Sequence, residues 1–245
     1  MGRQEYRTLA VAAVLAAMMA ASVAVAADHL TVEIGGLDRS GRLPDQAAFC
    51  PPASSALKDV SPAVKWSPGP RGTRSYALLM VDPDVPRDFS QINKAGVVIT
   101  ADAPRITVHH WVLDDIPASI TSLPSGVESE TLVPRGKPIG ETGHGRRGAN
   151  IYTTFLASNA ETAGTYGGYD GPCPPVNDER PHRYIVRVFA LDLPSLGLSG
   201  AFDGPSLEQA MRGHVLAQGE AAATYALNPR LRGQRVEYPQ SGRTD

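Results

Sequence analysis

Apolar positions along the chain fall into short runs broken by Pro and Gly, a pattern of strands and turns rather than of long amphipathic helices. Residues 31–34 alternate polar and apolar, as a half-buried strand does. Residues 75–81 (SYALLMV) form a mostly apolar run closed by Asp82-Pro83-Asp84, which reads as a buried strand ending in a turn. Residues 106–113 (ITVHHWVL) carry the β-branched and aromatic side chains of a second core strand. Residues 184–191 (YIVRVFAL) are the clearest third. Strand alternation puts Tyr184, Val186, Val188 and Ala190 on one face, and Ile185, Arg187, Phe189 and Leu191 on the other. One helix is expected near the C-terminus. Ser206 and Gln209 fit a capping box, and Leu207, Ala210, Met211, His214 and Val215 recur at helical spacing. Its Met and His read as packing and rim. Residues 90–103 and 132–165 are long connections with weak periodicity, of the kind that carry function or mobility.

The N-terminus has a different character. Arg3 and Arg7 precede an uncharged apolar run over residues 9–20, and Ala24-Val25-Ala26 is a small-residue cleavage pattern. Together these make a secretory signal peptide, cut after Ala26 or Ala27. The Ala-rich run is short for a membrane span, and no later segment is long and apolar enough to be one. The expected organisation is a signal peptide over residues 1–26, one domain over 27–227, and a polar, Arg-bearing, loosely ordered tail over 228–245. The protein is then secreted or periplasmic.

Composition narrows the partners. The formal charge is −2, and becomes −3 once Arg3, Glu5 and Arg7 leave with the signal. A general nucleic-acid binder would show a basic face. Export to an oxidising compartment makes pairing of Cys50 with Cys173 an open alternative. Gly143-His144-Gly145-Arg146-Arg147-Gly148 matches G-x-G-x-x-G, but no strand precedes it and no helix follows. It reads as a flexible basic loop. No G-x-S-x-G elbow is present, so a serine hydrolase lacks its strongest local sign.

The informative residues are spread over three places. Asp82-Pro83-Asp84-Val85-Pro86 ends one strand, His109-His110-Trp111 lies in the next, and Gly171-Pro172-Cys173-Pro174-Pro175 precedes His182-Arg183-Tyr184. Each is ordinary alone. Together they place acidic groups and histidines at strand ends, where binding groups gather, on backbone stiffened by proline. These stretches, with Ser61-Pro62-Ala63-Val64-Lys65-Trp66 upstream, resemble the phosphatidylethanolamine-binding proteins, in their bacterial Raf-kinase-inhibitor-like branch. The resemblance runs from about residue 31 to 227. Residues 90–103 and 132–165 look longer than the family pattern. The resemblance implies a mainly β, sandwich-like antiparallel core with short peripheral helices and a C-terminal helix. It also implies a pocket built from Asp82, Asp84, Pro86, His110, Gly171, His182 and Tyr184, with Gly171 offering backbone N–H groups and His109 turned away.

Two imidazoles beside a carboxylate, a tyrosine hydroxyl and a glycine N–H would receive a phosphate or carboxylate oxygen. The expected function is binding of a small anionic or phosphorylated ligand, without catalysis and without cofactor or metal. A secreted inhibitor of a protease or host protein is one alternative; a metal-dependent hydrolase using Asp82, His110 and His182 is another. Peripheral membrane contact is compatible with either reading. The leader reading is checked by Edman sequencing of protein recovered from the periplasm or medium. The expected first residue is Ala27 or Asp28; an intact Met1 on the exported protein contradicts it.

Overall fold

The three apolar runs form the middle of one sheet; the first is buried on both faces, and the third on one face with the other half-buried. The structure, a computed structural model, describes residues 28–232. The signal-peptide reading and residues 233–245 of the expected tail lie outside the described residues. Among the described residues the elements follow in the order β1 (Asp28–His29), β2 (Val32–Ile34), β3 (Val64–Trp66), β4 (Ser75–Pro86), β5 (Arg105–Pro117), β6 (Ser122–Leu123), β7 (Gly140–Thr142), β8 (Gly145–Arg147), α1 (Tyr152–Phe155), β9 (His182–Leu191), α2 (Gly204–Ala210) and β10 (Val215–Tyr225). Seven strands make one sheet in the order β1-β10-β9-β4-β5-β8-β7, and β2-β3-β6 make a smaller one. Neighbours run antiparallel, except that β1 lies parallel to β10.

The two sheets face each other across the main core. Val64, Trp66 and Leu123 of the small sheet meet Leu78, Met80, Trp111, Tyr184, Val186 and Val188 of the large one. The opposite face of the large sheet is covered in part by α2. Ala77, Leu79, Val81 and Val112 pack there with Phe202, Leu207 and Met211. The alternation read along residues 184–191 therefore holds. This is a mainly β fold with few helices.

Several local readings change. Strand β4 does not stop at Asp82 but continues through a bulge to Pro86. The helix is capped by Asp203, whose side chain accepts from the Ser206 N–H, so Ser206 lies inside α2. Pro205 sits in its first turn, where no hydrogen bond is lost. One more strand, β10, follows the helix. The Gly-rich segment is not a flexible loop but the β7–β8 hairpin. Arg147 of that hairpin is paired with buried Glu128. The start of the tail is docked, because Arg232 donates to both oxygens of Asp45.

Among the described residues several buried polar atoms lack a hydrogen-bond partner, and Asp114 is the one carboxyl among them. Neither carboxylate oxygen of Asp114 on β5 has a hydrogen-bond partner. Burial, with the charge of neighbouring Asp115, raises its pKa to about 7. A folded pKa above the unfolded value means stability is whole below the ordinary value of 3.8 and is lost as pH rises to about 7. Asp114→Asn removes that loss. Urea denaturation is expected to show a stabilisation that grows from pH 4 to pH 7 and then levels; a constant difference across that range contradicts the assignment.

Candidate functional site

Three neighbouring strands meet at one rim of the large sheet: β4 at its end, β9 at its start and β5 near its middle. Two bulges aim their side chains. Met80 pairs with Trp111 and Val81 with His109, which leaves His110 as the extra residue. Strict alternation from Trp111 would turn His110 outward. The bulge turns both inward and leaves His109 on the outer face, against Glu208 of α2. Further on, Asp82 pairs with Val108 and Val85 with Ile106, so Pro83 and Asp84 oppose Thr107 alone. Pro83, with no N–H to donate, suits this gap. The Asp84 N–H turns back onto Asp82 Oδ1 at 2.8 Å.

Asp82, Pro86, His110, His182 and Tyr184 line one cavity of about 220 Å³, together with Phe49, Val85, Ile92, Asn93, Tyr152, Phe155 and the Cys50–Cys173 disulfide. A larger open groove, about 690 Å³, lies between α2 and the β9–β10 face. There Arg187 and Glu220 pair with each other at 3.1 Å, and the polar side chains of Glu208, Arg212 and Gln218 are exposed. The smaller cavity, where four buried polar side chains meet, is the candidate site.

His182 is the centre of the floor. Its Nδ1 lies 2.7 Å from Asp82 Oδ2 and its Nε2 3.2 Å from Asp178 Oδ2. Burial pulls its pKa down, but the Asp82 charge and the hydrogen bonds to Asp178 and Asp82 outweigh this and push it to about 9. Burial likewise raises Asp82, yet the His182 charge holds it well below the usual carboxylate range. Asp178 is anchored in turn by Arg105, which donates through both terminal nitrogens. His182 is thus an imidazolium with both N–H groups spent. It offers a ligand no hydrogen bond, which corrects its expected part as a donor.

His110 takes that part. Its Nδ1 sits 3.1 Å from the Asp170 carbonyl. A carbonyl only accepts, so Nδ1 carries a proton and Nε2 is left to the cavity, 3.8 Å from Asp82 Oδ2. The hydroxyl of buried Tyr184 makes no hydrogen bond, and burial with the nearby Asp82 charge keeps it un-ionised.

Two expected site residues lie elsewhere. The Asp84 carboxylate points away from the cavity and binds Arg183 and Arg180, stitching the bulge to β9. Gly171 does not offer its N–H to a ligand but donates it to Asp59 Oδ1 at 2.8 Å. It is glycine for room, because a Cβ there would lie 1.9 Å from the Ala47 carbonyl oxygen. Behind it, burial and the Asp170 charge raise the pKa of Asp59 well above the usual range. Lys137 and Asn150 hold the Asp170 carboxylate at 2.6 and 2.7 Å. That network fixes the chain segment on which His110 leans. Among the described residues no group of three or more His, Cys, Asp or Glu is disposed to hold a metal ion.

Fold and pocket together define a class of β-rich domain with a preformed small-ligand cavity at its strand ends. The chain belongs to the phosphatidylethanolamine-binding protein family, whose sequence model matches residues 37–226. A UPF0098 protein of Aquifex aeolicus is 33% identical over 168 residues, covering 69% of this chain and 75% of its own. The UPF0098 protein YbcL of Escherichia coli is 26% identical over 69% of this chain and 73% of its own. Among solved structures, E. coli YbcL, described as a new member of the mammalian family, superposes with a TM-score of 0.56 at 22% identity. That match covers 81% of this chain and 98% of YbcL. A Chlamydia trachomatis homologue gives 0.53 at 21%, over 81% and 97%.

The ion pair at the floor sets a pH dependence. The folded pKa of His182 lies above its ordinary 6.5, so its contribution is whole below pH 6.5 and is lost as pH rises through about 9. That shift corresponds to a contribution on the order of 3 kcal/mol. The stability gap between wild type and His182→Gln, from urea denaturation, should therefore narrow between pH 6.5 and pH 9.5. A gap of equal size at both ends rules out the pair as its source.

Proposed function

We propose that this chain is an exported binding protein, not an enzyme, and that its cavity takes a small oxyanionic, phosphate-like headgroup carrying at least one proton. One observation carries the reading: with His182 spent, His110 Nε2 and the Tyr184 hydroxyl are the floor groups that face the cavity, beside an ionised Asp82. With Nδ1 committed to the Asp170 carbonyl, Nε2 is the His110 ring atom that meets the ligand. Asp82 opposes a bare dianion but accepts from a hydroxyl or ammonium. A singly charged phosphate, or a head with both phosphate and amine, satisfies all three groups. Export is supported by the leader pattern and by the Cys50–Cys173 disulfide, which belongs to an oxidising compartment. The two YbcL and Chlamydia likenesses support the fold; the ligand reading rests on the cavity.

Calorimetric titration at one pH is expected to show phosphoethanolamine binding to wild type, and His110→Ala should weaken it by roughly tenfold or more, the worth of a hydrogen bond to a charged group. No binding to wild type, or an affinity unchanged in His110→Ala, would sink the reading.

A further inference from the structure

The polar floor occupies one end of the cavity only. The rest is mostly apolar, with Phe49, Val85, Ile92, Tyr152, Phe155 and Leu156; Asn93 is the polar exception, its Oδ1 accepting from the Val176 N–H. The two halves come from different parts of the chain. The floor is built by β4, β5 and β9. Most of the apolar half comes from the two long connections, Ile92 from residues 90–103, and Tyr152, Phe155 and Leu156 from residues 132–165. Phe49, next to disulfide-bonded Cys50, stacks on Tyr152 with centroids 4.1 Å apart and planes 20° apart. His110 meets both Tyr152 and Tyr184 edge to face, at 5.6 and 5.3 Å. At the mouth Phe155 meets Phe89 edge to face at 5.2 Å. Both remain exposed, 38% and 49%, and they close the gap between the two connections.

A bare phosphate would use the floor and leave this ring-lined half wet. Apolar surface held facing water gains free energy when an apolar group covers it. Ring walls favour another ring, through offset stacking and edge-to-face contact. The size limits what fits: about 220 Å³ is below the usual range for drug-sized ligands, ~300 Å³ and upward. One ring and a polar head fit, and a long acyl chain does not. We infer that the occupant is a single-ring aromatic oxyanion, its acidic head on His110 and Tyr184 and its ring among Phe49, Tyr152 and Phe155. This deepens the oxyanion reading and rests on it.

Calorimetry at pH 6 with phenylphosphonate, butylphosphonate and methylphosphonate tests the inference on wild type and Phe155→Ala. Phenylphosphonate is expected to bind at least tenfold tighter than methylphosphonate and severalfold tighter than butylphosphonate. Phe155→Ala should reduce the phenyl-to-methyl ratio below threefold. Phe155 is partly exposed, so this variant keeps the core intact, and circular dichroism checks that it does. If methylphosphonate binds and phenylphosphonate is no better, the aromatic inference fails and the oxyanion reading stands. A butyl compound matching the phenyl one also overturns the aromatic claim. If none of the three binds, the oxyanion reading fails and this inference with it.

Discussion

A buried imidazolium held between two carboxylates is the constraint on which the site depends. His182 lies between Asp82 and Asp178, and all three are almost fully buried. Charges out of water are costly unless each is paired and hydrogen-bonded. Every partner here is therefore fixed by another. The Asp84 N–H occupies Asp82 Oδ1, Arg105 grips Asp178, and the Asn228 side chain donates to the Asp178 carbonyl. The strand ends of β4 and β9 and the start of the tail are tied to one point. A floor bound this tightly is formed before any ligand arrives, which lowers the ordering cost of binding. The same saturation leaves His182 no free N–H, while His110 Nε2 and the Tyr184 hydroxyl face the cavity.

Much of this was legible in the sequence, for identifiable reasons. The central strands announced themselves because runs such as residues 184–191 are buried on alternating or both faces. The meeting of Asp82, Pro86, His110, His182 and Tyr184 in one cavity was legible because the end of β4 and the start of β9 flank one another and β5 pairs alongside, so register brings them together. Other features left no local mark. The bulge that turns His110 inward depends on pairing with β4. The Ala-rich centre of β10 has no β-branched signature; it is a strand because β9 lies beside it. Asp203 and Ser206 both suit an N-cap, and only the turn at Gly204-Pro205 decides between them. The pairing of Cys50 with Cys173 needed a Cα separation, 4.7 Å across 123 residues, that no spacing encodes.

The misjudged residues share one physical cause: a polar group was assigned to the ligand when the protein itself had already taken it. Asp84 serves Arg183 and Arg180, the Gly171 N–H serves Asp59, and both His182 nitrogens serve carboxylates. Satisfaction of buried groups is a property of the whole fold. Phe49, Ile92, Tyr152 and Phe155 were missed for the opposite reason. They sit in or beside connections without periodicity, so nothing short of the folded chain brings them to one cavity. Strands supply the charged floor of the cavity; connections supply most of its apolar wall.

The charge state of His182 is the most direct point of test. NMR titration of its ring carbons and nitrogens in the folded protein, from pH 5 to pH 10, reads that state without a ligand. The account predicts an imidazolium with protons on both nitrogens, losing one only near pH 9. A neutral ring at pH 7, titrating at or below the ordinary 6.5, would contradict it.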